Sequence, residues 1–451
     1  MNILEDLIYN LNNPSKNIRI KNVNKLKEFV LSGKISFPST GEVNNHIHTK
    51  FSFSPWYPSA CAFEGLKAGL IGIGIMDHDS VAGCRELIFS AASFGIHSTC
   101  GFEIRTSFLK TKFKDYKINN PDSKGIAYIS IHGIPVINLN KVNKFLTPVR
   151  KQRLKRSRLM VERLNSIITT HGLKPISFNR EIIPISEYKH GGSLTERHIL
   201  QILSQRIINS YGKGEKVIFF LEKGMKIKIP EKIREYLTDK DNPHYLYDLL
   251  GILKAELLEK FFIQPDEIEC PPVNTIVEFA DNTGGISCYS YLGDVKESPT
   301  GDKKEEKFED EFLDDLFKEI KSIGFKGVTY MPPRNTIEQI QRVKKLAEEY
   351  ELVQISGVDI NSSRQSFNCP LLKEKEFSNL ITTTKALFAH EKLSAKKIEL
   401  GLFHPKNPFR NFDIEKRVKL YALFSERIDP FNPYNTKKLI KEITGEHIWN
   451  I

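Results

Sequence analysis

Residues 44–55, NNHIHTKFSFSP, place two histidines one residue apart at the end of a short apolar run that begins near Val43. In an extended strand residues i and i+2 share a face, so His46 and His48 project side by side. Paired imidazoles suit a borderline metal ion. Four other stretches supply donors of compatible chemistry: Asp77, His78 and Asp79 in GIMDHDS, Glu103 in CGFEI, His132 in SIHGIP and Asp359 in SGVDI. Singly, each has a commoner structural use, as a salt-bridged carboxylate or a satisfied core histidine. Together they recur at the ends of successive predicted strands, which is where a β/α barrel gathers its functional groups.

Those strands alternate with helices. PSACAFEGLKAGL (58–70) starts with proline and serine and ends in glycine, as a helix does, and IGIGIM (71–76) then reads as a buried strand. STCGFEI (98–104) is a third strand candidate, after the apolar run before His46, and IAYISIHGIPVINL (126–139) supplies one or two more. From Pro272 the order is a helix near NTIVEFADNTGG, strand ISCYSY, helix EEKFEDEFLDDLFKEIKSIG, strand FKGVTY, helix NTIEQIQRVKKLAEEYE and strand LVQISGVD. This alternation predicts a parallel β/α architecture. Its first part spans 41–144 and its second 272–370. Residues 145–271 are mainly helical and polar and read as an insertion. Residues 1–40 read as an N-terminal helical extension and 371–451 as a C-terminal tail of unassigned structure.

Composition bounds the rest. The chain has 451 residues, 27% charged and 40% hydrophobic, the balance of a globular protein, and no stretch approaches the ~18 apolar residues of a membrane span. MNILEDLIYNLNN lacks a basic region followed by an apolar core, so a secretory signal is not expected. The six cysteines are scattered without a CxxC pair, which fits reduced thiols and a cytoplasmic location. A net charge of +11 favours anionic partners. Its densest run, RKQRLKRSR (150–158), reads as the solvated face of an amphipathic helix, with a phosphate-backbone track as the alternative.

Order and spacing of these motifs resemble the PHP (polymerase and histidinol phosphatase) domain family, metal-dependent phosphoesterases on a distorted seven-stranded β/α barrel. NNHIHTKFSFS matches the opening HxH motif, GIMDHDSVAG the second, GFEI the glutamate motif and IHGIP the following histidine motif. HGGSLTERHI (190–199) resembles the arginine-proline-histidine segment of the phosphoesterase branch, with Glu196 in place of proline. GGISCYSYLGD and LVQISGVDINS resemble the last two motifs, so the likeness covers about residues 41–365. The fold this implies is α/β, a distorted (β/α)7 barrel with a helical insertion. The resemblance also implies up to three divalent ions: His46, His48, Glu103 and Asp359 around one, Glu103 and His132 at a second, His78 at a third. Three positions depart from the family pattern. Phe53 stands where an acid is usual, and Tyr291 and Asn361 stand where histidines are usual. One or two ions (Mn, Fe or Zn) are therefore expected, with Tyr291 and Asn361 as substituted ligands and Asp77 as a weak ligand or a support for its neighbours.

The chemistry implied is hydrolysis of a phosphate ester, since a metal lowers the pKa of bound water from 15.7 to about 7. Glu103 and His198 are the expected catalytic groups, His198 as proton donor, and Arg197 with His198 the expected substrate contacts, because guanidinium grips phosphate in a two-pronged manner. The alternative for Arg197 is an ion pair with Glu196 or Glu187. A phosphorylated small molecule or a short nucleic acid is the expected partner, with no membrane. Two rival readings stand beside this one: an amidohydrolase-like barrel cleaving C–N bonds, and a degenerate, non-catalytic barrel that binds a phosphorylated ligand or a protein.

Overall fold

The computed structural model describes residues 3–294 and 307–445. The first two residues of the EEKFEDEF segment, 305 and 306, lie outside them, as do the extreme ends of the extension and tail. Seven strands form one sheet in chain order: β1 (Val43–Ile47), β2 (Gly72–His78), β3 (His97–Ser107), β4 (Ile126–His132), β5 (Ile286–Ser290), β6 (Gly327–Tyr330) and β7 (Val353–Ser356). Beyond β7 the chain returns to β1, where His48 N donates to Ile360 O at 3.0 Å and Ile360 N to His46 O at 3.1 Å. The sheet thus nearly closes on itself as a distorted barrel. Outward faces such as Ile73, Ile75, Ile129 and Ile131 pack on helices that include Pro58–Lys67 and Cys84–Ser93.

The all-parallel expectation fails at one strand. β4 is antiparallel to both β3 and β5, while β1–β2–β3 and β5–β6–β7 are parallel. The C-terminal end of β4 therefore lies at the opposite mouth of the barrel from the other strand ends.

The tail closes that opposite mouth. The Ser378–Ser394 helix, buried all round from residue 386 onward, lies across the starting ends of the strands. Asn45 of β1 donates to its Thr384 Oγ1 at 2.7 Å, the amide of Cys100 donates to its Glu391 at 2.6 Å, and Lys392 Nζ donates to Ser98 O at 2.9 Å. Gly72 begins β2 because a Cβ there would sit 2.1 Å from the Phe388 ring. Glu391 and Lys392 form an ion pair with no solvent-exposed side-chain surface. Each also bonds the β3 backbone, as buried charges require.

Between β4 and β5 the helices from Leu139–Thr170 to Tyr245–Phe261 build a second core around Leu164, Leu203 and Leu253. Phe53 reaches out of the barrel into that core, its ring edge-on to His198 at 5.1 Å. The basic run 150–158 is not a uniformly solvated face. Arg150, Arg153 and Arg156, three residues apart on one side of the Leu139–Thr170 helix, are buried, and Lys151, Lys155 and Arg158 are exposed. No helix among the described residues is long and apolar enough to cross a membrane.

Candidate metal centre

The two histidines of HIH leave β1 with ring centroids 5.1 Å apart. The orientation of His48 is fixed from behind. Its Nδ1 lies 3.2 Å from Ser52 Oγ, and Ser52 Oγ donates to Asp77 Oδ1 at 2.6 Å. Asp77 also accepts from Thr49 N and Thr49 Oγ1, both at 2.6 Å. With the serine proton committed to the carboxylate, Ser52 accepts from Nδ1–H, and Nε2 of His48 is left without a proton. That bare nitrogen faces Asp359 Oδ1 at 3.3 Å. Burial, which outweighs the pull of Asp359, lowers the His48 pKa to about 3, so the ring is neutral near pH 7. Two hydrogen-bond acceptors thus confront each other with no proton between them, an arrangement that a shared cation satisfies.

Asp359 is held by Asn361, whose Nδ2 lies 2.7 Å from both carboxylate oxygens. Burial works to raise the Asp359 pKa, but His48, His46 and Arg197 lower it overall. Glu103, at the matching level of β3, has Oε2 3.0 Å from His78 Nδ1 and Oε1 3.8 Å from His46 Nε2. Burial again opposes ionisation, yet His78, His46 and His48 hold the carboxyl at about 2. The rings of His48 and His78 stack at 4.6 Å. Two donor groups result, His46–His48–Asp359 and His48–His78–Glu103, each with ligand atoms within 4.8 Å of one another and sharing His48. Imidazole nitrogens mixed with anionic oxygens fit zinc, manganese or iron.

Other expected site residues are placed differently. His132 belongs to neither group. Because β4 runs antiparallel, it pairs with Ile286 at the start of β5, whereas Ser130 stands opposite Glu103. His132 therefore lies two residues further toward the barrel floor, ~6–7 Å along the strand. It is buried, its Nε2 has no hydrogen-bond partner, and burial together with the His46 charge lowers its pKa to about 3. Tyr291 lines the cleft, but its hydroxyl donates to Asp310 Oδ1 at 2.6 Å. Burial and that bond raise its pKa, which opposes a tyrosinate. Asn361 presents its amide nitrogen to Asp359 and supports that carboxylate, and Asp77 supports His48 in the same way through Ser52.

Arg197 lines the cleft near Asp359. The alternative ion pairs are taken by others: Glu187 accepts from Tyr57 at 2.5 Å, and Glu196 pairs with Arg156 at 2.9 Å and Arg105 at 3.1 Å. His198 is not among the cleft-lining residues. Its Nδ1 accepts from Thr195 N at 3.0 Å, capping the Glu196–Tyr211 helix.

Sequence reasoning did not single out Ser52, the Tyr128 ring 5.6 Å from His78, or the network behind the site. In that network Arg105, Arg153 and Arg156 meet Asp79, Glu196 and Glu269 with almost no solvent access. It ties the ends of β2 and β3 to the insertion. The three-residue spacing of arginines in RKQRLKRSR was the available signal.

No protein-family model matches the chain, and no curated protein matches it. Among solved structures it is similar to a chain described as a "putative metal-dependent phosphoesterase" from Bifidobacterium adolescentis, with a TM-score of 0.49 and 18% identity over 74% of this chain and 92% of that one. It is also similar to an amidohydrolase from Chromobacterium violaceum with bound sulfate and no metal, with a TM-score of 0.46 and 14% identity over 72% of this chain and 90% of that one.

Proposed function

We propose that this chain is a metal-dependent hydrolase of phosphate esters, of the kind the PHP-like motif order suggests. The observation that carries the reading is His48 Nε2 set 3.3 Å from the Asp359 carboxylate, with the other His48 nitrogen held by Ser52 and Arg197 beside Asp359. His46, His48 and Asp359 would hold one ion, and His48 or His78 with Glu103 a second. When bound, a divalent ion supplies a Lewis acid and a water of lowered pKa. The protein's own groups do the rest. Arg197 orients the phosphate by paired N–H donors, and Asn361 and Ser52 hold Asp359 and His48 in their ligating orientations. The substrate is a phosphorylated small molecule or a short nucleic acid.

Phe53 in place of an acid and the protonated Tyr291 favour a second reading, a barrel that binds a phosphorylated ligand without turnover. Glu103→Gln separates the two. With a metal-loaded protein and p-nitrophenyl phosphate esters, the hydrolase reading expects Glu103→Gln to cut the rate by about 10²-fold or more with far-ultraviolet circular dichroism unchanged. Full turnover in that variant removes Glu103 from the mechanism. Stoichiometric metal without turnover of any ester by the wild type supports the binding barrel.

A further inference from the structure

The donor groups do not sit at the end of a blind pocket. One lobe of the cleft holds His46, His48, His78 and Glu103 and is walled by Lys254 and Leu258. A second lobe opens on the other side of Asp359, between the insertion and the loop after β7, and is walled by Tyr236, Tyr247, Gly251 and Lys232. Arg197, Met331, Asp359 and Asn361 line both lobes. The two walls share one helix face: Tyr247, Gly251, Lys254 and Leu258 follow the four-three-four spacing of a single stripe on the Tyr245–Phe261 helix, and Lys232 and Tyr236 join it from the Glu231–Thr238 helix. At 1.5 Å per residue the stripe is ~16 Å long, with the ion-binding residues alongside it.

Gly251 is informative in this stripe. Glycine inside a helix costs about 1 kcal/mol relative to alanine. Here no left-handed backbone requires it, because Gly251 is absent from the positive-φ residues. Its effect is to leave bare the helix surface that faces the second lobe.

We infer that the substrate is a phosphodiester, with its scissile phosphate at the Arg197–Asp359 junction and one ester group along each lobe. This rests on the phosphoesterase reading above. In the reaction, water oxygen forms a new bond to phosphorus and the P–O bond to one alcohol breaks. One proton of the water ends on the departing alcohol and the other on the phosphomonoester product or solvent. A monoester would fill one lobe and leave the other to water.

The test uses the full-length, manganese-loaded protein with bis(p-nitrophenyl) phosphate and p-nitrophenyl phosphate. A kcat/KM at least about tenfold higher for the diester is expected, and Gly251→Trp should erode that preference about tenfold or more, chiefly through KM. Tyr236→Ala, a truncation on the wall of the second lobe, should lower the preference in the same direction and covers the case in which the tryptophan variant does not fold. A preference for the monoester, or a diester preference intact in a folded variant with full metal content, overturns the inference and leaves the phosphoesterase reading standing. Turnover of neither ester by the metal-loaded wild type counts against both.

Discussion

Removing one hydroxyl should loosen the metal. Ser52→Ala deletes the atom that accepts His48 Nδ1–H at 3.2 Å and donates to Asp77 at 2.6 Å. Without it, the imidazole has no partner for Nδ1–H, while the opposite tautomer can place its proton on Nε2, where Asp359 Oδ1 waits at 3.3 Å. Metal binding must then break a hydrogen bond to a charged group, worth about 1.5–3 kcal/mol. At 1.4 kcal/mol per factor of ten, the expected loss of affinity is about 10- to 100-fold, the range typical of supporting partners behind ligating histidines. A competition titration of manganese or zinc against a fluorescent chelator reads it directly. Ser54→Ala, a neighbouring buried serine with only a 3.5 Å contact from Trp56 N, controls for simple loss of a hydroxyl. Unchanged affinity in Ser52→Ala, or an equal loss in Ser54→Ala, refutes the tautomer argument.

Three further outcomes follow from the geometry. Crystals soaked in manganese should show one or two anomalous peaks per chain around His46, His48, His78, Glu103 and Asp359, and a third full peak would mean that Phe53 and Asn361 do not impoverish the site as argued. His390 is buried, and its pKa falls from 6.5 to about 4, chiefly through burial. Stability should be complete above the unfolded value and be lost as pH falls from about 6.5 to 4, by at most ~3 kcal/mol from this group. The difference between urea midpoints at the two ends of that window should therefore be smaller in His390→Gln than in the wild type. Gly72→Ala should destabilise by about 1–3 kcal/mol through the 2.1 Å approach to Phe388, and a double-mutant cycle with Phe388→Ala should show strong coupling. Additive effects would place the strain elsewhere.

Much of the site was legible because parallel strands deliver their C-terminal residues to one mouth. HIH and DHD close β1 and β2 and GVD follows β7, while GFE lies midway along the longer β3, where Glu103 pairs with His78 at the end of β2; His46, His48, His78, Glu103 and Asp359 thereby come together. IHG looked equivalent because alternating burial is the same whichever way a strand runs. The direction of β4 is set by its neighbours, and no residue within it records that choice. Nothing beside Tyr291 in the sequence marks the partner of its hydroxyl, Asp310, nineteen residues further along the chain. The Ser378–Ser394 helix gives no amphipathic signal for a different reason: residues 386–394 are buried all round although they include His390, Glu391, Lys392 and Ser394, so polarity and burial do not separate into two faces.

That helix has a consequence for how the protein is made. The barrel floor is supplied by residues that leave the ribosome roughly 350 positions after β1. At 5–20 residues per second this is an interval of about 20–70 s. Through it, Gly72, Cys100 and the lower ends of the first three strands have no Phe388, Glu391 or Lys392 to meet. The nascent barrel must wait through that interval with its base open. Chaperone contact during synthesis should fall on the strands that contribute the first metal ligands.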